Sequence, residues 1–281
     1  YKETDRYQEA IQEFMRALEL GYDSQDIHVE LYAIYRDLNQ FTQAAEQLKK
    51  ALNKGYGKER YEADLKGIYR GQMRLIGSYN FEGRYQEVLS EAKKASKIID
   101  KENPMFKNML DNEIDIAQKK VLLSCKIRAL TVTLTNKCNL ACIMCKTRSK
   151  PWDLPEKHIK EIISFFPYLE RVMWQGGEVF LYPGFKDLLQ EASRFPMRKI
   201  IATNGLLIDR EFAEILVRSN VELTFSIDGA TKEVYEHIRS GGKFEKVIEN
   251  LNLINELRQK LNPGMETRLN VLVMRSNSHQ I

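Results

Sequence analysis

Cysteine is scarce and confined. The chain has four, Cys125, Cys138, Cys142 and Cys145, and none after Cys145. Thiols crowded into one short stretch cannot staple a secreted domain, so a disulfide scaffold is excluded. No segment has the roughly 18 consecutive apolar residues of a membrane span. Neither charge sign dominates: 43 basic against 39 acidic side chains leave +4, too little to argue for nucleic acid. Lys93-Lys94 and Lys119-Lys120 read as solvated helix faces, and no nucleic-acid partner is expected. Walker and Rossmann phosphate loops are missing, as is a His-Glu-x2-His pair. No signal-like segment opens the chain, so the expected location is cytoplasmic. The chain runs from Tyr1 to Ile281 and stops within a regular pattern, so it is expected to be part of a longer protein. The remaining composition, 43% hydrophobic and 29% charged over 281 residues, supports about two globular domains.

The first hundred residues repeat. Ala10-x3-Phe14-x2-Ala17 recurs as Ala44-x3-Leu48-x2-Ala51, 34 residues on, and as Val88-x3-Ala92-x2-Ala95, a further 44 on. Similar turns precede each copy: Arg6-Tyr7, Gln40-Phe41 and Arg84-Tyr85, the last after Gly83. This resembles the tetratricopeptide (TPR) repeat, a helix–turn–helix unit. Small residues at i and i+7 let two helices approach, and the larger one at i+4 fills the groove. Repeat 1 lacks its leading helix, and repeat 3 follows an insertion around Gly55–Gly71. The alternative is a generic helical bundle with alanine-rich seams. Such arrays bind peptides or proteins on a concave face. Tyr32 and Arg36 are groove candidates, with packing or solvation as their simpler reading. After Asn103-Pro104 a connecting helix is expected from about Met105 to Ser124.

From Ile127 the period changes. Strands are expected at Ala129–Thr135, Arg171–Gln175, Lys199–Thr203, Glu222–Ile227 and Thr267–Met274. Helices are expected at Glu156–Phe166, Gly184–Phe195, Asp209–Ser219, Lys232–Ile238 and Phe244–Leu261. Repeated βα units imply a parallel sheet with its ligand site at the C-terminal strand ends.

The unusual residues follow those ends. Cys138-x3-Cys142-x2-Cys145 lies directly after the first strand, on a loop spanning Asn136–Lys146. Three thiolates on one loop can hold three corners of an iron–sulfur cluster and leave one iron open. A zinc site completed by Cys125 or His158 is the alternative. A Cys142/Cys145 redox pair would leave Cys138 unexplained. Cys125 reads as a small buried hydrophobe.

The stretch from Asn136 to Cys145, with Gly176-Gly177-Glu178, Thr203-Asn204-Gly205 and Ser226-Ile227-Asp228-Gly229 in order at later strand ends, resembles the radical S-adenosylmethionine (radical SAM) superfamily. The repeat pattern gives an all-α TPR-like domain (1–103) and a connecting helix (104–125), and the radical SAM resemblance implies an α/β partial (β/α)6 TIM-like barrel (126–281), one strand short. It implies a 4Fe–4S cluster on Cys138, Cys142 and Cys145. The open iron then binds S-adenosylmethionine, whose reductive cleavage gives a 5′-deoxyadenosyl radical. An external flavodoxin- or ferredoxin-like donor supplies the electron.

By position, Met144 faces adenine, or is loop packing. Gly176 and Gly177 let backbone approach the methionyl part, and Glu178 accepts from its ammonium or is a surface carboxylate. Asn204 lies in the pocket floor or caps its turn. Ser226 and Asp228 suit the carboxylate and ribose hydroxyls. Arg239 pairs with the carboxylate or is a solvated helix-end cation. Val179 stands where many relatives have proline. Gly-Gly-Glu-Val-Phe-Leu-Tyr-Pro-Gly-Phe and Tyr235-Glu236-x2-Arg239-x-Gly241-Gly242-x-Phe244 resemble the peptide- and protein-modifying branch, whose members often add a Cys-rich (SPASM) domain. Its absence here places any second cluster beyond Ile281. The expected substrate is a peptide or protein recruited by the repeats. The alternatives are small-molecule or cofactor biosynthesis, and a non-catalytic adaptor.

Overall fold

The computed structural model describes residues 2–99, 103–145 and 150–280. Tyr1, Ile281 and the Lys146 end of the cysteine loop therefore lie outside the described residues. The chain divides into two compact units, Tyr1–Lys126 and Ile127–Ile281. Among the described residues no helix is long and apolar enough to cross a membrane.

The first unit is helical: α1 (Lys2–Glu19), α2 (Gln25–Asp37), α3 (Phe41–Asn53), α4 (Lys58–Phe81), α5 (Tyr85–Ile98) and α6 (Pro104–Ala117). Each helix from α2 to α6 packs on its neighbour in sequence, and α3 also meets α5. The second and third repeated rows form buried seams, whereas Ala10, Phe14 and Ala17 are only half-buried. Ala44, Leu48 and Ala51 are fully buried, as are Val88 and Ala95, with Ala92 nearly so. Two equivalent turns have the same left-handed kink, at Asn39 (φ 57°) and Gly83 (φ 74°), which asparagine and glycine tolerate best. The 55–71 insertion is absorbed by α4, which runs for 24 residues. Tyr32 is not a groove residue. It is 4% exposed within the core, with the Arg36 guanidinium 5.5 Å from its ring.

The connecting helix is shorter than expected. It starts at Asn103, whose side chain accepts from the Phe106 N–H at 3.4 Å, with Pro104 in the first turn. It ends at Ala117 rather than near Ser124. Buried Asp115 draws the following chain back, accepting from the Ser124 N–H at 2.6 Å and the Cys125 N–H at 3.3 Å. These local bonds compete with helix continuation, and Val121 and Leu122 are left 94% and 88% exposed. Helix α6 packs on α4 and α5 and so is part of the first unit. Cys125 is half-buried, its thiol donating to Asn112 Oδ1 at 3.5 Å, rather than sealed in the core.

The second unit is a five-stranded sheet in sequence order, every pair parallel: β1 (Ala129–Thr135), β2 (Arg171–Gly176), β3 (Arg198–Thr203), β4 (Val221–Ser226) and β5 (Thr267–Asn270). Between them run α7 (Glu156–Phe165), α8 (Phe185–Ser193), α9 (Arg210–Arg218), α10 (Lys232–Ile238) and α11 (Phe244–Leu261). Strand alternation sorts the two faces. Leu134, Trp174, Ile201, Leu223 and Phe225 are fully buried in one apolar core with the helices. The other face is partly open and more polar, with Thr131, Thr133, Gln175, Thr224 and Ser226. Strand β5 is shorter than the expected Thr267–Met274. Beyond Asn270 the backbone turns to side chains instead, with Leu272 N–H on Asp228 Oδ1 at 2.8 Å and Met274 N–H on Asn277 Oδ1 at 2.6 Å.

Candidate functional site

The C-terminal ends of β1 to β4 carry the singled-out residues, and side-chain bonds tie those ends together. The cysteine loop leaves β1 between two clamps. On one side the Asn136 carbonyl oxygen of the side chain accepts from the Trp152 N–H at 2.8 Å, and Lys137 pairs with Asp153. On the other, Gly177 N–H donates to Thr135 O and Glu178 N–H to Lys137 O, both at 2.8 Å.

This second clamp explains the paired glycines. A Cβ at Gly176 would lie 2.1 Å from Thr135 O, and one at Gly177 would lie 2.1 Å from Lys137 O. Gly176 also has φ +150°. The close approach they permit within the protein is to the base of the cysteine loop. A side chain at either would push the Cys138 loop off β2.

At Glu178 burial decides against one of the two readings. It is 1% exposed, so it is not a surface carboxylate. Its Oε1 accepts from the Thr203 hydroxyl and its Oε2 from the Asn204 N–H, both at 2.8 Å. Burial pushes its carboxyl above the usual range, against those hydrogen bonds and the Arg239 charge. Both oxygens thus accept from the end of β3.

Asn204, held there, is 5% exposed. Its side-chain oxygen accepts from the Leu206 N–H at 3.0 Å, and its amide donates to Asn139 Oδ1 at 2.8 Å. The same amide lies 4.0 Å from Cys138 Sγ. Asn204 therefore both caps its turn and reaches the cysteine loop.

Arg239 follows α10. Its Nη2 pairs with Asp228 Oδ2 at 2.7 Å, the two side chains 11% and 1% exposed, and its Nη1 lies 4.0 Å from Cys142 Sγ. It is not a solvated cation. Asp228 pairs with Arg239 and accepts from the Leu272 N–H. Ser226, half-buried at the end of β4, is left as the open hydroxyl of that strand end among the described residues.

The thiols differ in exposure: Cys142 is buried, Cys138 and Cys145 exposed. Desolvation pushes the Cys138 and Cys142 thiols above the usual range. The charges of the other cysteines add to this, and Arg239 opposes it at Cys142. Among the described residues no three such ligands converge tightly enough for a single metal ion. Met144 is half-buried within the same loop.

Asn139 and Thr203 lie within the sequence motifs but carried no assigned role, and Asn250 and Asn277 lie outside them. Asn250, 1% exposed on α11, donates to Gly205 O at 2.7 Å and fixes the β3 turn. Its place among Val247, Ile254 and Leu257 on the buried face of α11 was the available signal. Asn277 donates to Asp228 O at 2.9 Å and had no signal in sequence spacing.

Comparison with known proteins bears on this arrangement. Mycofactocin maturase MftC of Mycobacterium ulcerans is 35% identical over 131 residues, which are 43% of this chain and 36% of the relative. GTP 3′,8-cyclase of Synechocystis is 28% identical over 184 residues, 61% of this chain and 54% of the relative. This chain thus spans only about a third to a half of these proteins' lengths. In fold it is similar to SuiB of Streptococcus suis, solved with its precursor peptide SuiA, at TM-score 0.51 and 20% identity over 84% of this chain and 52% of that one. The family model of the Radical SAM superfamily matches residues 132–272, from within β1 to just past β5, and the chain belongs to that superfamily of enzymes, which use a 4Fe–4S cluster and S-adenosylmethionine.

Proposed function

We propose that this protein is a radical SAM enzyme acting on a peptide or protein, which its TPR-like repeats recruit. The observation that carries the cluster part is the junction of Asn204 with Cys138 and of Arg239 with Cys142, each at 4.0 Å. Donors aimed at thiolates suit an electron-rich cluster. The thiols' mutual electrostatic influence fits three ligands around one group.

Cys138, Cys142 and Cys145 hold the 4Fe–4S cluster as thiolates. When bound, the cluster supplies the electron that cleaves S-adenosylmethionine to a hydrogen-abstracting 5′-deoxyadenosyl radical. The chain's own part is placement. Gly176, Gly177 and Glu178 fix the ends of β1 and β3. Asn204 forms the floor beside Cys138. Met144 offers an apolar surface to adenine, and Ser226 a hydroxyl to the ribose or carboxylate. The sheet forms a partial barrel around the substrate. An external flavodoxin- or ferredoxin-like protein delivers the electron.

The peptide reading is supported by the maturase relative and by the helical hairpins of the first unit, which supply the stacked surfaces such arrays use for peptides. The cyclase relative favours a second reading, a small-molecule substrate with the repeats serving assembly.

The test is anaerobic reconstitution of the full-length protein with iron and sulfide. Iron–sulfur absorbance and reductant-dependent release of 5′-deoxyadenosine are expected, lost in Cys138→Ala, Cys142→Ala and Cys145→Ala. A protein that takes up zinc alone and releases none overturns the reading. Acceleration by a ribosomal peptide encoded beside the enzyme supports the peptide substrate. Acceleration by GTP and not by peptide supports the second reading.

A further inference from the structure

The Arg239 side chain is held between two partners within the protein. Its guanidinium bridges Asp228, at 2.7 Å, and Cys142 Sγ, at 4.0 Å. The surrounding backbone makes that position rigid. Ala141 N–H donates to Ser240 O and Ile143 N–H to Ile238 O, both at 2.9 Å. Two ladder-like bonds therefore flank the Cys142/Arg239 pair, one on each side, and set the two residues opposite each other. Asp228 is fixed from behind, by the Leu272 N–H on its carboxylate at 2.8 Å and the Asn277 amide on its carbonyl at 2.9 Å. The Arg239 Nε is buried without a partner among the described residues, so the fork retains an unused donor.

We infer that Arg239 is a positioning residue for Cys142 and places a fixed positive charge beside that cluster sulfur, with Asp228 as its anchor. This rests on the cluster reading given above. A planar, permanently charged fork can hold a carboxylate on one edge and aim at a sulfur from the other, which an ammonium on a flexible stem does less well. A cation beside a ligand sulfur favours the state with one more electron, since reduction adds negative charge to the cluster. Arg239 therefore raises the reduction potential of the cluster before any S-adenosylmethionine is bound. The segment after β5 enters the same arrangement, because Leu272 and Asn277 hold Asp228 in place.

The experiment uses the full-length protein, anaerobically reconstituted and free of S-adenosylmethionine. The midpoint potential is read by redox titration followed by electron paramagnetic resonance. Arg239→Gln is expected to move the midpoint to a more negative value. Arg239→Lys is expected to stay nearer the parent, and Asp228→Asn, which removes a negative charge and keeps the positive one, to move the midpoint to a less negative value. An unchanged midpoint in Arg239→Gln, with binding of S-adenosylmethionine weakened tenfold or more, overturns the inference and returns Arg239 to the carboxylate. Should Arg239→Gln take up no iron, Arg239→Lys decides. Iron uptake in the lysine variant supports the charge, and loss of uptake there with a native circular dichroism spectrum supports the positioning. Loss of uptake with a non-native spectrum overturns a role confined to Cys142. Absence of iron–sulfur absorbance in the parent protein instead defeats the cluster reading itself, so the two failures are distinguishable.

Discussion

The carboxylate of Glu178 holds Asn204 by its backbone, 2.8 Å from Oε2 to N, and so orients the amide that reaches Asn139 and Cys138. Replacing Glu178 by alanine strands two buried donors, the Thr203 hydroxyl and the Asn204 N–H. Each buried unsatisfied group costs about 1–3 kcal/mol. Glu178→Ala is therefore expected to lower the unfolding midpoint by several degrees and to reduce iron uptake, checked by thermal melting and iron analysis.

The same residue imposes a pH dependence. Its carboxyl titrates above the usual range in the folded chain because of burial. Below the ordinary glutamate range both states hold the proton and the group contributes no slope. As pH rises from there through its folded value, the unfolded state ionises more readily and stability falls. Glu178→Gln removes this slope. Urea unfolding of both proteins across that window is the measurement, and parallel pH profiles would refute the assignment.

Gly177→Ala tests the clamp on the cysteine loop. The added methyl meets the Lys137 carbonyl, a backbone atom that cannot swing away. Overpacking of this kind costs about 1–3 kcal/mol. The expected result is a destabilised second unit with poor iron loading. Unaltered loading and melting would show that the loop base moves freely.

Asp115 governs the turn after α6. The Lys120 ammonium, with Ser124 and the Cys125 N–H, holds its carboxyl down to about 2. A depressed carboxyl stabilises above the ordinary aspartate range, and that contribution is lost as pH falls through about 2. Asp115→Ala is expected to open the segment from Lys119 to Lys126 at neutral pH. Faster tryptic cleavage after Lys119 or Lys120 checks this, with α6 otherwise helical.

Leu48 is fully buried in the seam between helices α2, α3 and α4. Leu48→Ala is expected to cost about 2–5 kcal/mol. Differential scanning calorimetry should show a lower transition for the helical unit alone. An unchanged profile would mean that this seam does not support the repeats.

Much of this arrangement was legible in order and little of it in pairing. Strand β1 and helices α10 and α11 match their expected bounds, because a change of hydrophobic period and Gly, Asn or Asp at strand ends are local signals. The site residues could be placed at successive strand ends for the same reason. Their partners could not. Asp228 with Arg239, Glu178 with Asn204 and Asn277 with Asp228 join positions that are distant in sequence, and nothing in their spacing distinguishes a protein partner from a ligand. The shortfalls of α6 and β5 share one cause. Asp115 and Asp228 capture backbone N–H groups that a helix or strand would otherwise have used, a competition that periodicity does not register.

The reach from Arg239 back to Cys142 spans 97 residues. At about 5–20 residues per second, synthesis takes about 5–20 s to cover that distance. Through that interval the thiols have been synthesised but the segment carrying Arg239 has not. The Asn204 brace arrives earlier, 66 residues after Cys138. The loop is thus secured first at Cys138 and later at Cys142, so iron delivered to the growing chain meets ligands of unequal readiness.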